Sequence, residues 1–159
     1  MKIGILVHSE TGNTLSVAKK MEQALTNAGH TCTLHVILAL GETAASKGQV
    51  PLPVRFDHPP QAAAYDAVII GAPVWGFSLS KVMSAYMRQL PGLSGKKVGC
   101  FVTQRLSRPI FGGNHALRQL KGALKSKGAV VFASGIVNWT NAGREDQINR
   151  LIKAFSRIS

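Results

Sequence analysis

From residue 67 to residue 143 the chain has no aspartate or glutamate. Its 7 acidic residues face 19 lysines and arginines, a net charge of +12. The deficit speaks against a phosphoacceptor signalling module, which needs carboxylates at the carboxyl ends of its strands to hold Mg²⁺. Here the first apolar run ends in His8-Ser9 and the third in Ile70-Gly71-Ala72. The cationic excess favours an anionic partner without identifying it. Nucleic acid is an unlikely primary partner, because no aromatic stacking platform interleaves the basic residues.

Cysteine is scarce as well. Cys32 and Cys100 match no metal-ligand spacing, and each sits in an apolar run, so both are expected to be small buried residues. No segment reaches the ~18 consecutive apolar residues of a membrane span. The opening run 1–8 lacks the length and cleavage region of a signal peptide, which leads to the expectation of a cytoplasmic protein. With 159 residues, 45% of them apolar, the chain suits one domain over 1–159.

Five short apolar runs are present, at 2–7, 31–37, 67–71, 97–102 and 129–134. Four are nearly continuous, as in parallel strands covered on both faces. The run 31–37 alternates, with Cys32, Leu34 and Val36 on one side, and suits an edge strand. Between the runs lie segments of helical period at 13–28, 80–90, 114–127 and 144–157. Gly29 and Gly128 follow two of them, where a left-handed terminating residue is wanted. This alternation predicts an α/β fold, a five-stranded parallel sheet between two helical layers. The stretch 38–65 is the exception, because Gly41, Gly48, Pro51, Pro53, Pro59 and Pro60 interrupt any helix or central strand.

The chemistry concentrates in three loops. After the first buried strand come Ser9, Glu10, Thr11, Gly12, Asn13 and Thr14, and then a helix. Free N–H groups and the positive dipole end at a helix start attract a phosphate. Ser9, Thr11 and Thr14 add hydroxyls, Asn13 an amide, and Gly12 close backbone approach. An ordinary helix cap would use one such residue, not four in six. The third strand is followed by Pro73, Val74, Trp75, Gly76 and Phe77, and the fourth by Thr103, Gln104 and a segment ending in Gly112 and Gly113.

The segment 9–14 resembles the phosphate loop of the flavodoxin family, a Ser/Thr-x-Thr-Gly-x-Thr pattern after the first strand. The run 73–77 is similar to the family's second flavin loop, and 103–115 stands where its third flavin loop stands. The likeness covers essentially the whole chain and points to the short-chain branch. It implies a three-layer flavodoxin-like sandwich of strand order 2-1-3-4-5, with FMN at the switch point. In that order Cys32 and Cys100 lie ~14 Å apart and share no disulfide.

It also implies flavin contacts from Pro73, Val74, Trp75, Gly76 and Phe77, and polar contacts from Thr103, Gln104 and Gly112. The third loop departs from the family in having no Tyr or Trp, with Phe111 as the local substitute. The expected function is a redox protein carrying electrons between partner proteins, one of which has an acidic docking face. An FMN-dependent NAD(P)H:quinone-type oxidoreductase shares the fold and stays open as the alternative. A non-redox anion or nucleic-acid binding module is the second alternative. No catalytic residue and no metal site is read from the sequence.

Overall fold

The computed structural model describes residues 1–46 and 49–158. Gly48, one of the helix-breaking residues above, lies outside them. The chain alternates strand and helix: β1 (Lys2–Val7), α1 (Asn13–Asn27), β2 (Thr31–Val36), β3 (Ala67–Trp75), β4 (Ser78–Leu79), α2 (Lys81–Gln89), β5 (Lys97–Gln104), α3 (Gly113–Ser126), β6 (Val130–Asn138) and α4 (Arg144–Phe155).

The sheet runs β2-β1-β3-β5-β6, all parallel, and the two-residue β4 pairs back on β3. Counting the parallel strands alone, this is the expected order 2-1-3-4-5. The additional strand arises because β3 runs to Trp75 rather than stopping at Gly71. Gly76 and Phe77 then turn the chain with φ of 48° and 66°. Positive φ at both central residues is the signature of a tight hairpin turn whose twist matches its flanking strands. Glycine adopts such a φ freely; a bulky phenylalanine does so under strain.

Strand alternation splits the interior in two. Ile3, Ile5, Val7, Ala67, Ile69 and Phe101 face α1 and α4, and meet Val17, Met21, Leu25, Ile148, Leu151 and Phe155. Leu6, Val68, Ile70, Val98, Cys100 and Val102 face α2 and α3, and meet Val82, Met83, Tyr86, Leu120 and Leu124. Gly29 and Gly128 end α1 and α3 at φ of 92° and 83°, as the sequence predicts.

The edge strand β2 departs from expectation in detail. Cys32 is half-buried rather than buried, and Val36 is 41% exposed. An edge strand has a neighbour on one side only, which leaves its side chains less covered. Cys100, on the central β5, is fully buried, and burial pushes its thiol up to about 12. Both thiols are free.

β5 and β6 are not in simple register. Val98 pairs with Val131 and Gly99 with Ala133, so Phe132 is one residue too many. Its ring packs against Phe155, with centroids 5.9 Å apart.

The connection from β2 to β3 contains two short 3₁₀ turns, Ala44–Ser46 and Ala62–Ala64. It lies across α2. The Tyr86 hydroxyl donates to Pro60 O at 2.6 Å, the Gln89 amide donates to Val54 O at 3.2 Å, and Phe56 stacks edge-on against Tyr86. No helix among the described residues is long and apolar enough to cross a membrane.

Candidate functional site

A cleft of about 970 Å³ opens at the carboxyl ends of the strands. That position, beside the point where the strand order reverses between β1 and β3, is where open parallel sheets hold ligands. Of the residues singled out in the sequence, Ser9, Glu10, Thr11, Asn13, Pro73, Val74, Trp75, Gly76, Thr103 and Gln104 line it. Gly12, Thr14, Phe77 and Gly112 do not.

Each of these four has another task. Gly12 stands at the N-cap of α1 in the left-handed conformation, φ 91°, and has no side chain of its own to cap the helix. The Ser9 hydroxyl accepts the Leu15 N–H at 3.2 Å, while among the described residues no acceptor meets the N–H groups of Thr11, Gly12, Asn13 and Thr14. Thr14 is buried, and its hydroxyl meets that of Thr103 at 2.7 Å, tying the first loop to the end of β5.

Phe77 points outward, 62% exposed. Gly112, at φ 108°, lies against the backbone of Phe77, where a Cβ would come within 2.5 Å of the Phe77 Cα. It joins the second and third loops.

Gln104 lines the cleft, but its amide is committed. Nε2 donates to Arg108 O and to Asn138 Oδ1, and its backbone oxygen accepts the Trp139 N–H at 2.8 Å. Its Oε1 is buried without a partner among the described residues and faces Gly113. The side chain thus shapes the third loop; it has no free donor for a ligand.

The sequence reading missed Leu38, Glu42, Thr43, Ala44, Trp139 and Thr140, which also line the cleft. Trp139 directly follows β6 at the same sheet edge, and that position is the signal that finds it. The Arg144 guanidinium lies over its ring, 4.5 Å from the centroid. It stands on the side where the third loop lacks an aromatic ring.

A buried polar chain leads inward from Glu42 in the cleft wall. His8, at the end of β1, is fully buried. Its Nδ1 meets Ser80 Oγ at 2.9 Å and its Nε2 meets Glu42 Oε1 at 2.5 Å. Ser80 caps α2, its Oγ accepting the Met83 N–H at 3.2 Å, and Glu42 Oε2 accepts the Ala39 N–H at 2.9 Å. One proton arrangement satisfies every group. The Ser80 hydroxyl donates to Nδ1, Nε2–H donates to Glu42, and the imidazole is neutral. Burial holds the His8 pKa down, more strongly than the Glu42 hydrogen bond and charge raise it.

Glu10 shares this environment. Burial, and then the Glu42 charge, push its carboxyl up to about 8. The protonated form is favoured by the fold, so Glu10 supports stability in acid. That support is lost as pH rises from the ordinary carboxylate range to about 8. Denaturant unfolding of ligand-stripped protein at about pH 6.5 and about pH 8.5 is expected to show a fall in stability that Glu10→Gln abolishes. Parallel behaviour of the two proteins would refute the assignment.

No protein-family model matches the chain. Among solved structures it is similar to the two-electron reduced flavodoxin of Megasphaera elsdenii, at 24% identity over 98% of each chain with a TM-score of 0.69. It is also similar to oxidised flavodoxin 2 of Bacillus cereus, at 22% over 100% of each chain and a TM-score of 0.69. The WrbA-like flavodoxin of Agrobacterium tumefaciens shares 16% identity over 99% of this chain and 96% of that one, with a TM-score of 0.66. At these identities the likeness is one of fold, and the chain has the flavodoxin-like fold.

Proposed function

We propose that the cleft binds FMN and that the protein passes electrons between partner proteins. The observation that carries this reading is the meeting of two loops across one cleft. A helix-start loop with four unbonded N–H groups lies on one side, and the Trp75-Gly76 turn lies on the other. The donors fit a phosphate: Ser9, Thr11 and Asn13 side chains, together with the N–H groups at the start of α1.

FMN supplies reversible hydride and single-electron chemistry when bound. The chain's own residues bind and orient. Glu10, held neutral, removes a like charge from the phosphate. Trp75 offers a flat aromatic face, with Pro73 and Val74 beside it. Thr103 and Gln104 fix the third loop through Thr14 and Asn138.

Titration with FMN, followed by flavin fluorescence, is expected to show one FMN taken up per chain. Protein that takes up none refutes the reading. Trp75→Ala is expected to weaken FMN binding about tenfold, from lost burial and ring contact.

A specific feature favours a second reading, an FMN-dependent NAD(P)H:quinone-type oxidoreductase. The cleft extends past the two loops to Leu38, Thr43 and Ala44, and Arg105 stands in its lining as a cation for a nucleotide phosphate. Steady oxidation of NADPH by the FMN-loaded protein alone selects this reading; none selects the carrier.

A further inference from the structure

The outer rim of the cleft carries large apolar side chains in contact with water. Phe77 is 62% exposed, Leu106 45%, Ile110 71% and Phe111 40%. Phe77 and Phe111 stand at neighbouring backbone positions, and Ile110 precedes Phe111 in the chain. Gly112 brings the end of the third loop against the Phe77 backbone, and the Phe111 N–H bonds to Arg108 O at 3.1 Å. The Asn141 amide donates to Ser107 O at 3.0 Å, which ties the loop to the segment after β6.

Arg105 and Arg108 sit between the apolar residues, exposed, and neither has a carboxylate partner among the described residues. Every acidic residue lies outside the whole stretch 67–143, which also supplies α2 and α3.

We propose that this rim docks on an anionic lipid surface, with Phe77, Leu106, Ile110 and Phe111 entering the headgroup boundary and Arg105 and Arg108 meeting lipid phosphates. Two features favour lipid over an acidic protein. The apolar groups protrude from two loop tips, whereas a protein interface asks for a complementary packed surface. The cations continue along the chain through α2 and α3, a stretch without Asp or Glu, and mobile headgroups adapt to charges in any arrangement. A peripheral contact of this kind needs no membrane-spanning helix. The proposal does not rest on the cofactor reading, although it turns the cleft mouth toward the bilayer.

The test is flotation of the full chain with vesicles of phosphatidylglycerol and phosphatidylcholine, against vesicles of phosphatidylcholine alone. Binding to the anionic vesicles is expected at low salt, weakening steeply by about 0.5 M salt, with little binding to the neutral ones. Arg108→Gln is expected to weaken it about fivefold and Ile110→Ser roughly tenfold. Neither residue lines the cleft, and melting temperature and circular dichroism check that both variants fold. Lys125→Gln is the position control, about 18 Å along α3 from its rim end.

No binding to anionic vesicles overturns the proposal. So does binding that ignores Ile110→Ser, or that falls as far with Lys125→Gln as with Arg108→Gln. If the vesicles are ignored while a small acidic iron–sulfur protein binds at low salt, the rim is a protein-docking surface and the lipid proposal fails. FMN uptake is measured separately, so neither result decides the other.

Discussion

Gly112→Ala is expected to destabilise the protein by about 4 kcal/mol. A Cβ there would lie 2.5 Å from the Phe77 Cα, 2.9 Å from its carbonyl carbon and 3.0 Å from its oxygen. These are backbone atoms and cannot swing aside, so either the hairpin turn at Gly76-Phe77 or the start of α3 must move. The φ of 108° adds strain that only glycine escapes.

Gly12→Ala separates the two causes. Gly12 also has a left-handed φ, 91°, but nothing lies within 4 Å of the added carbon. It is expected to cost about 1 kcal/mol. In thermal unfolding this amounts to a fall of roughly 10 °C for Gly112→Ala and a few degrees for Gly12→Ala. Similar falls for the two variants would show that no steric contact joins the second and third loops. FMN titration of Gly112→Ala at low temperature reads the site separately: the displaced 76–77 turn carries Trp75 with it.

The second large effect is expected at His8. His8→Leu keeps the volume roughly but removes the donor to Glu42 and the acceptor for Ser80. Glu42 stays buried, its carboxylate left with the Ala39 N–H alone. Removing one partner of such a buried bond costs about 3 kcal/mol, read as a shifted urea midpoint at unchanged slope.

The pH dependence gives a second readout. Burial lowers the folded pKa of His8, so the folded protein takes up its proton less readily than the unfolded chain. The stability His8 contributes is therefore present above its ordinary range near 6.5 and is lost as pH falls below it. His8→Leu is expected to lack this acid-side loss. If the variant keeps the same loss, the neutral imidazole is not the cause.

The sequence reveals these features unevenly, for physical reasons. Parallel strands buried on both faces write themselves as continuous apolar runs, so β1, β3 and β5 are legible. Gly29 and Gly128 mark helix ends because a left-handed residue stops a helix locally. The loop 9–14 is legible for the same reason: strand, donors and helix start are neighbours in sequence.

The His8–Ser80–Glu42 chain is not, since its members stand 34 and 72 positions apart and meet only once β1, α2 and the β2–β3 connection are packed. Residue type does not tell whether a hydroxyl or amide already has partners inside the protein, as Thr14 has in Thr103 and Gln104 in Asn138 and Arg108. Trp139 was missed because β6 was expected to end at residue 134, four short of its observed end. Gly76-Phe77 reads as a loop, because phenylalanine is an improbable residue at a positive φ.

The additional residue in β6 has a consequence for length variation in this strand. Registers on both sides of Phe132 are set independently, Val98 with Val131 before it and Gly99 with Ala133 after it. The strand therefore holds one residue of slack. Deleting Phe132 itself leaves both registers as they are, and Asn138 still stands opposite Gln104; the ring contact with Phe155 and the cover over Gly99 are forfeited. An inserted residue finds no such reserve. It must either widen the irregularity or push Asn138 and Trp139 one place along, which transposes their faces and takes Trp139 out of the cleft wall.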